Sequence, residues 1–336
     1  MESVPAAGVS RSMLGAIYHM SFLQAVVIGL LQGITELFPI SSLGHTVLIP
    51  SWLGGSWATL VSQESSAESP YLAFVVGLHL ATALVLLGFY IREWVRLVRG
   101  FFTSLVRRRA VSDSERLAWF IVIATVPVGA LGLIFEHQFR VLFAKPLAAS
   151  LFLMVNGLIL MSGEWYRRRH ASARSPVPTS MAAEDAGGPG PTRWRDQRIV
   201  PMDEAAEHEL ARVGLASSAV IGASQALALL AGISREGVAM VGGLFRGLDN
   251  ENAMRFSFLL STPVILAAGV LKVPDLLGSL GNGIRGQVIA GSVAAAASSL
   301  FAIVFLSRYF RTRTLIPFAI YSLAFGFVSA IRFGFF

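Results

Sequence analysis

Long apolar runs alternate with short polar segments along the whole 336-residue chain. Six of these runs approach the ~20 residues that an α-helix needs to cross a bilayer. The predicted spans are 72–91, 117–135, 147–163, 256–271, 287–306 and 315–333. The pattern therefore predicts an all-α polytopic membrane protein with about six transmembrane helices.

Two further apolar segments, 21–53 and 214–247, contain too many polar residues and glycines to be ordinary spans. Each uninterrupted arm has only ~10 residues, which favours a re-entrant helical hairpin. Irregular backbone at membrane depth is tolerated only where protein or a water-filled cavity surrounds it. We therefore expect the functional residues in the first tip (residues 32–45) and the second tip (residues 231–237).

The two interrupted segments also align with each other without a gap. The identical pairs are Ile28/Ile221, Gly29/Gly222, Gln32/Gln225, Leu37/Leu230, Ile40/Ile233, Ser41/Ser234 and Gly44/Gly237. Three predicted spans follow each segment, so the second hairpin enters from the opposite side of the membrane. We therefore predict one integral membrane domain, 1–336, built as an inverted-topology repeat (14–163 and 214–336) whose tips meet near the midplane.

The composition agrees with a membrane protein. Only 14% of the residues are charged, against ~25% in soluble proteins, while 54% are hydrophobic and the mean hydropathy is +0.64. These values exclude a soluble globular enzyme and a disordered chain. The absence of cysteine excludes disulfides, thiolate metal sites and a cysteine nucleophile. Residues 1–20 lack the basic–apolar–cleavage pattern of a signal peptide, so none is expected.

Arginines gather in 92–116, 164–213 and 307–314, which predicts that these segments are cytoplasmic. The net charge of +7 and the pI of 10.3 then reflect cytoplasmic loops, and no nucleic-acid partner is expected. The 164–213 segment is rich in Ser, Pro, Gly and charge, which favours a flexible cytoplasmic linker between the two repeats. Docking of a partner on this linker is the alternative.

The first tip carries residues suited to acid–base chemistry. Gln32 and Glu36 lie four residues apart, on one face of a short helix that Pro39 ends. Ser42 and His45 lie three residues apart, which allows a nucleophile–base hydrogen bond in a helix. The alternative is a structural Glu36 and serines that only cap a helix. Function is favoured because an ionisable residue at membrane depth is costly to keep.

The second tip carries residues suited to binding an anion. Gly232 allows backbone N–H groups to turn inward, and a helix beginning near Ser234 offers partial positive charge. Arg235 adds a planar donor fork for two phosphate oxygens. The alternative is a structural ion pair of Arg235 with Glu236 or Glu36. Together the tips predict a phosphate site in a lipid-accessible cavity.

The run LQGITELFPISSLGH at 31–45 resembles the first signature of the undecaprenyl-diphosphatase family, the bacitracin-resistance type. The run GISREG at 232–237, continuing into GGL at 242–244, is similar to its second signature. Further similar stretches are 78–82, 255–260 and 316–321. The likeness covers about 21–336 apart from 170–212.

This resemblance implies a multi-pass phosphatase of the bacterial plasma membrane. It would release inorganic phosphate from undecaprenyl diphosphate, a polyprenyl diphosphate lipid, regenerating the carrier for peptidoglycan and other envelope polymers and giving bacitracin resistance. It also implies a site that opens to the extracytoplasmic face, contact with membrane lipids, and a divalent cation, Mg²⁺ or Ca²⁺. The sequence leaves a homodimer open.

The roles of individual residues follow from the same resemblance. Ser42 is implied as the nucleophile and His45 as its acid–base partner. Glu36 is implied as a further catalytic group that, with Gln32, holds the metal or orients water. The residues implied to bind the diphosphate are Arg235, Ser234, Ser41 and Gly232.

The second signature departs from the family pattern at two positions. Ala231 stands where the family usually has Pro, and Glu236 stands where it usually has a second Ser. A carboxylate beside a diphosphate is repulsive unless a cation intervenes. Glu236 therefore either points away and pairs with an arginine such as Arg246 or helps to hold the metal. The remaining alternative is a paralogue with altered activity.

Three functions stay open at this level. The favoured one is in-line attack on the terminal phosphorus by Ser42, or by water with Ser42 as a donor. A lipid-phosphate or anion transporter is the main alternative, because inverted repeats with broken helices are also a transporter architecture. The third is an inactive paralogue that binds the lipid diphosphate.

Overall fold

A computed structural model describes residues 20–62, 70–143, 145–171, 204–278 and 283–335. Within these ranges the chain is all α-helical apart from turns and one short 3₁₀ helix, and contains no strand. The helices are α1 (Phe22–Leu37), α2 (Ser42–Leu53), α3 (Gly55–Ser62), α4 (Pro70–Phe89), α5 (Ile91–Arg107), α6 (Asp113–Phe143), α7 (Pro146–Ala171), α8 (Glu204–Ala211), α9 (Leu215–Ser224), α10 (Arg235–Phe245), α11 (Asn250–Leu277), α12 (Arg285–Tyr309) and α13 (Ile316–Phe335). The predicted all-α fold is confirmed.

Five helices are long and apolar enough to cross a membrane by themselves. They are α6, α7, α11, α12 and α13. A sixth candidate is α4 together with α5, two helices that meet at an angle of 83°. A further bent pair, α8 with α9, meets at 80° and brings the number of candidate spans to as many as 7. The six predicted spans all fall on these helices, so the polytopic architecture is confirmed.

Both interrupted segments fold as two short helices joined by a break. Helix α1 ends at Leu37 and α2 begins at Ser42, so the break coincides with the predicted 39–42 stretch. Helix α9 continues into a 3₁₀ turn, Gln225–Leu229, before the break that precedes α10. At 1.5 Å per residue, the 16 residues of α1 extend about 24 Å, less than the hydrocarbon thickness. These lengths agree with hairpins that enter the membrane and return.

Long helices flank the hairpins and hold them in place. Helix α1 packs against α12 and α9 packs against α6, while α4 pairs with α11 and α7 with α13. The α1–α12 approach depends on small residues, because a Cβ at Gly29 would collide with the backbone of Gly291. Each of the pairs α4–α11 and α7–α13 joins corresponding helices of the two predicted repeats. The inverted relation between the repeats stays a prediction.

The segments predicted to be cytoplasmic contain more structure than the sequence predicts. The 92–116 segment, predicted as a loop, forms most of α5. The predicted linker 164–213 is ordered at both ends, because α7 continues to Ala171 and α8 forms at Glu204–Ala211. Residues 1–19, which carry the prediction about a signal peptide, lie outside the described residues. The same is true of 172–203 in the predicted linker.

Candidate active site

The two hairpin tips meet inside the helical bundle and line a common cavity. The first tip contributes Glu36, Ser41, Ser42 and Leu43, and the second contributes Ile233, Ser234, Arg235 and Glu236. His79 of α4 and Ala228 of the 3₁₀ turn complete the lining. The structure therefore brings the two predicted tips together.

Glu36 is the centre of the hydrogen bonds in this cavity. Its Oε2 accepts hydrogen bonds from the Ser42 hydroxyl and from Gln32 Nε2, the latter at 3.0 Å. His79 Nε2 lies 3.2 Å from the same oxygen. Glu36 occupies the last turn of α1 and Ser42 the first residue of α2, so the break lets the two side chains face each other. A hydroxyl paired with a buried carboxylate is an arrangement that can activate a nucleophile.

His79 is oriented by a partner on each ring nitrogen. Its Nδ1 lies 2.8 Å from the carbonyl oxygen of Val75, and its Nε2 faces the Glu36 carboxylate. A backbone carbonyl only accepts hydrogen bonds, and so does an ionised carboxylate. Both ring nitrogens thus face oxygen atoms, an arrangement that suits an imidazolium cation paired with an ionised Glu36. His79 lies in the 78–82 stretch, but nothing in the spacing of that apolar span predicts that its side chain reaches the site.

His45 does not contact Ser42. Its Nδ1 lies 2.7 Å from the carbonyl oxygen of Ser41, and its Nε2 lies 2.8 Å from the hydroxyl of Tyr321. The ring also stacks on Tyr321, with the centroids 5.6 Å apart. The predicted Ser42–His45 hydrogen bond is therefore wrong. The Ser42 hydroxyl donates to Glu36, and the two ring nitrogens of His45 face Ser41 and Tyr321, so neither side chain is left to bind the other.

Ser41 fastens the first tip to the second. Its hydroxyl accepts a hydrogen bond from the N–H of Gly44, which caps α2, and another at 3.1 Å from the N–H of Gly232. The backbone of Ser41 has φ +70°, an uncommon value for a residue other than glycine. The N–H of Gly232, predicted to bind diphosphate, is thus engaged with Ser41.

Asn156 of α7 joins both tips from the side. Its Nδ2 donates to the carbonyl oxygen of Pro39 at 2.9 Å and to the Ser322 hydroxyl at 3.3 Å. Its Oδ1 accepts from the N–H of Ser234 at 2.9 Å. The side chain is fully buried. A single amide side chain therefore binds both tips. This role could not be predicted from the sequence, where Asn156 is an isolated polar residue in an apolar span.

Arg235 supplies the cation that the sequence predicted. It is the first residue of α10, and Ser234 caps this helix by accepting from the N–H of Gly237. The Nη1 atom is buried without a hydrogen-bond partner, and Arg235 forms no ion pair with a described residue. Neither of the alternative ion pairs, with Glu36 or with Glu236, is present. The free guanidinium is available for an anion in the cavity.

Glu236 is buried and lines the same cavity as Glu36. Arg246 caps the far end of α10, about 15 Å along the helix, so the predicted Glu236–Arg246 pair is wrong. Oε1 of Glu236 has no hydrogen-bond partner among the described residues, and the same holds for Oε1 of Gln32. The alternative in which Glu236 helps to hold a cation is therefore the one that the geometry favours.

The cavity offers oxygen ligands for a hard divalent cation but not a complete cage. Among the described residues, no three His, Asp or Glu side chains lie close enough together to bind one metal ion. Mg²⁺ in phosphate sites commonly uses one or two carboxylates together with substrate oxygens and water. The free Oε1 of Glu236, which lines the cavity together with Glu36, suits that mode of binding. Gln32 contacts Glu36 but is not part of the cavity lining.

Residues 25–328 match the family described as "Bacitracin resistance protein BacA". Undecaprenyl-diphosphatase 2 of Frankia alni is 52% identical, over 94% of this chain and 99% of that protein. The undecaprenyl-diphosphatase of Mycolicibacterium paratuberculosis is 52% identical over 93% and 97%, respectively. Undecaprenyl-diphosphatase 2 of Chromobacterium violaceum is 37% identical over 93% and 99%. The chain therefore belongs to the BacA family of bacitracin resistance proteins.

Proposed function

We propose that this membrane protein hydrolyses undecaprenyl diphosphate to undecaprenyl phosphate and inorganic phosphate. In this way it recycles the lipid carrier for cell-envelope synthesis and gives bacitracin resistance. One observation carries the proposal: the Ser42 hydroxyl donates to the Glu36 carboxylate in a cavity that also holds the free guanidinium nitrogen of Arg235. The resemblance to proteins named undecaprenyl-diphosphatase names the substrate.

In the proposed reaction, Ser42 Oγ attacks the terminal phosphorus while its proton passes to Glu36. The bond between this phosphorus and the bridging oxygen breaks, and undecaprenyl phosphate leaves. Water then hydrolyses the phosphoserine and releases inorganic phosphate. Phosphoryl transfer depends chiefly on positioning and on neutralising charge on the phosphoryl oxygens. Arg235 and the N-terminus of α10 supply that neutralisation.

The remaining polar residues act by holding the reacting groups. The imidazolium of His79 and the amide of Gln32 both donate to Glu36 and keep its Oε2 turned toward Ser42. His45 holds the carbonyl of Ser41 and thereby the start of α2. We assign His45 to this positioning role and the base role to Glu36.

A divalent cation, Mg²⁺ or Ca²⁺, belongs to the proposal as a ligand brought together with the diphosphate. Glu36, Gln32 and Glu236 would hold it, and it would neutralise negative charge on the substrate phosphates. We further propose that the protein lies in the bacterial plasma membrane with the site open to the extracytoplasmic side. The arginine-rich segments on the opposite side support this orientation.

The test is phosphate release from undecaprenyl diphosphate by the purified full chain in detergent. We expect the release of one inorganic phosphate for each undecaprenyl phosphate formed. This release should depend on added Mg²⁺ or Ca²⁺ and should be abolished by a chelator. Undecaprenyl monophosphate serves as the control substrate, because it lacks the anhydride bond and should release no phosphate. A folded protein that releases no phosphate from the diphosphate would contradict the proposal. Transport of either lipid by such a protein would then favour the transporter alternative.

A further inference from the structure

Helix α5 exposes a continuous apolar stripe. Its members are Ile91, Val95, Val98, Phe102 and Leu105, all on the surface. The alternating spacing of four and three residues places them on one face of the helix. Phe102, in the middle of the stripe, is 59% exposed. A stripe of this length is expected to face an apolar medium rather than water.

The neighbouring face of α5 packs on the first two turns of α6. A Cβ at Gly100 would lie 3.2 Å from the backbone nitrogen of Glu115. Trp119 Nε1 donates to the Ser104 hydroxyl at 2.9 Å, and its ring lies 5.0 Å from that of Phe101. Helix α6 is a candidate span that begins at Asp113. Helix α5 therefore crosses α6 where this span enters the membrane.

The direction of α5 points the stripe toward the lipid. Helix α4 coincides with the predicted span 72–91, and α5 leaves it at an angle of 83°. With α4 alone crossing the membrane, α5 would lie nearly along the membrane surface. Arg96, on a different side of α5 from the stripe, forms an ion pair with Glu207 of α8 at 3.0 Å. The hydroxyl of Ser114 donates to the same carboxylate. The polar helix α8 thus covers part of α5, while the stripe has no cover among the described residues.

Two arginines lie beside the stripe. At 100° per residue, Arg92 and Arg99 fall on the flank adjacent to it, and both are exposed. Neither forms an ion pair with a described residue. If the stripe lies in the acyl region of the bilayer, a guanidinium on its flank can reach the level of the lipid phosphates. The planar guanidinium group suits binding to phosphate oxygens.

We propose that α5 is an interfacial helix that binds anionic phospholipids on the side of the membrane that carries the arginine-rich segments. The stripe enters the acyl region, and Arg92 and Arg99 bind the head-group phosphates. The charge of Arg92 and Arg99 favours anionic lipids over a second copy of the chain as the partner. Two copies paired through the stripe would bring these arginines close together, and like charges repel each other.

The absence of cysteine makes the position of the stripe directly measurable. Single variants Val98→Cys and Phe102→Cys carry a spin label on the stripe, and Thr103→Cys carries one away from it. In bilayers, the stripe labels are expected to be accessible to oxygen and protected from a water-soluble nickel complex. The Thr103 label should show the reverse. Stripe labels accessible to nickel would overturn the proposal, and stripe labels protected from both reagents would indicate a protein partner instead.

Lipid selectivity tests the arginines. Spin-labelled phosphatidylglycerol and phosphatidylcholine compete for the surface of the full chain in bilayers, and the wild type is expected to prefer phosphatidylglycerol. Each arginine near an anionic surface strengthens binding by about fivefold, so R92Q/R99Q should lose most of this preference. R169Q/R246Q removes two exposed charges, on α7 and at the end of α10, and should keep it. Equal loss in both double variants, or in neither, would overturn the proposal.

Discussion

The Ser42 hydroxyl donates its hydrogen bond to Glu36, across the break that separates the first two helices. The proposed nucleophile and its proposed proton acceptor therefore belong to one hairpin, and the cation Arg235 belongs to the other. Correct assembly of the two tips is then a condition for catalysis. This division of roles leads to predictions that distinguish reacting residues from positioning ones.

His79 is expected to matter more than the tyrosine that supports His45. His79→Ala removes the imidazolium beside Glu36 and should lower kcat by about 10²-fold, the lower end of an acid–base contribution. Tyr321→Phe removes only the hydrogen bond to His45 Nε2. It should keep kcat within about tenfold of the wild type, because the loss of one hydrogen bond has an effect of that size. Phosphate release measures both. If His79→Ala kept normal turnover while Tyr321→Phe lost it, His45 would be the base.

Asn156 is expected to act on stability and turnover together. Asn156→Leu leaves the Ser234 N–H and the Pro39 carbonyl buried without this partner, at about 1–3 kcal/mol for each group. The expected result is a lower Tm and a lower kcat. Ser162→Ala, on the exposed face of the same helix, is the matched control and should change neither. An Asn156→Leu variant as active and stable as this control would show that Asn156 is not needed to hold the two tips together.

Gly232 is required both by its backbone angle and by its surroundings. It has φ +115°, and a Cβ would lie 2.6 Å from the nitrogen of Leu153. Gly214 has φ +83° but open space around it, so Gly214→Ala measures the backbone cost alone. Gly232→Ala should lower Tm further and abolish phosphate release, while Gly214→Ala, at φ +83° and ψ 153°, should cost only the backbone strain of about 1–3 kcal/mol. Equal effects of the two variants would show that close packing at the second tip is unimportant.

Glu236 is expected to influence the requirement for the cation. Glu236→Gln keeps the shape of the side chain but removes one carboxylate from the cavity. The Mg²⁺ concentration for half-maximal phosphate release should rise at least about tenfold, as for the loss of a group that supports a bound metal. Arg246→Gln, at the other end of α10, should leave that concentration unchanged. An unchanged Mg²⁺ requirement in Glu236→Gln would leave this carboxylate without a role in binding the cation.

Hydrophobic runs and helix-breaking residues were sufficient to predict the architecture. The breaks in both hairpins fall where proline, glycine and serine occur close together, because each of these residues weakens a helix. Single prolines such as Pro127 and Pro263 remain inside helices, so the clustering is the informative signal. The prediction of a loop at 92–116 was wrong, because a high arginine content also occurs in helices such as α5. Its spacing of apolar residues was nevertheless visible in the sequence.

The partners within the site were harder to predict. The proximity of Ser42 and His45 along the chain suggested a hydrogen bond, but Ser42 donates to Glu36 and His45 binds Ser41 and Tyr321. His79 of α4 lines the cavity and Asn156 of α7 binds both tips, and no local spacing indicates which apolar span faces a hairpin tip. Such contacts depend on tertiary packing, which a single sequence does not specify.

The most direct test of a single site built from two tips is a double-mutant cycle. Phosphate release is measured for Ser42→Ala, Arg235→Ala and the double variant, with Tm as the check on folding. Each single variant should lose about 10³-fold or more in turnover, and the double variant should lose little beyond that, because groups that act on one phosphoryl transfer are not additive. Near-normal turnover of either single variant, or fully additive losses, would contradict a shared site.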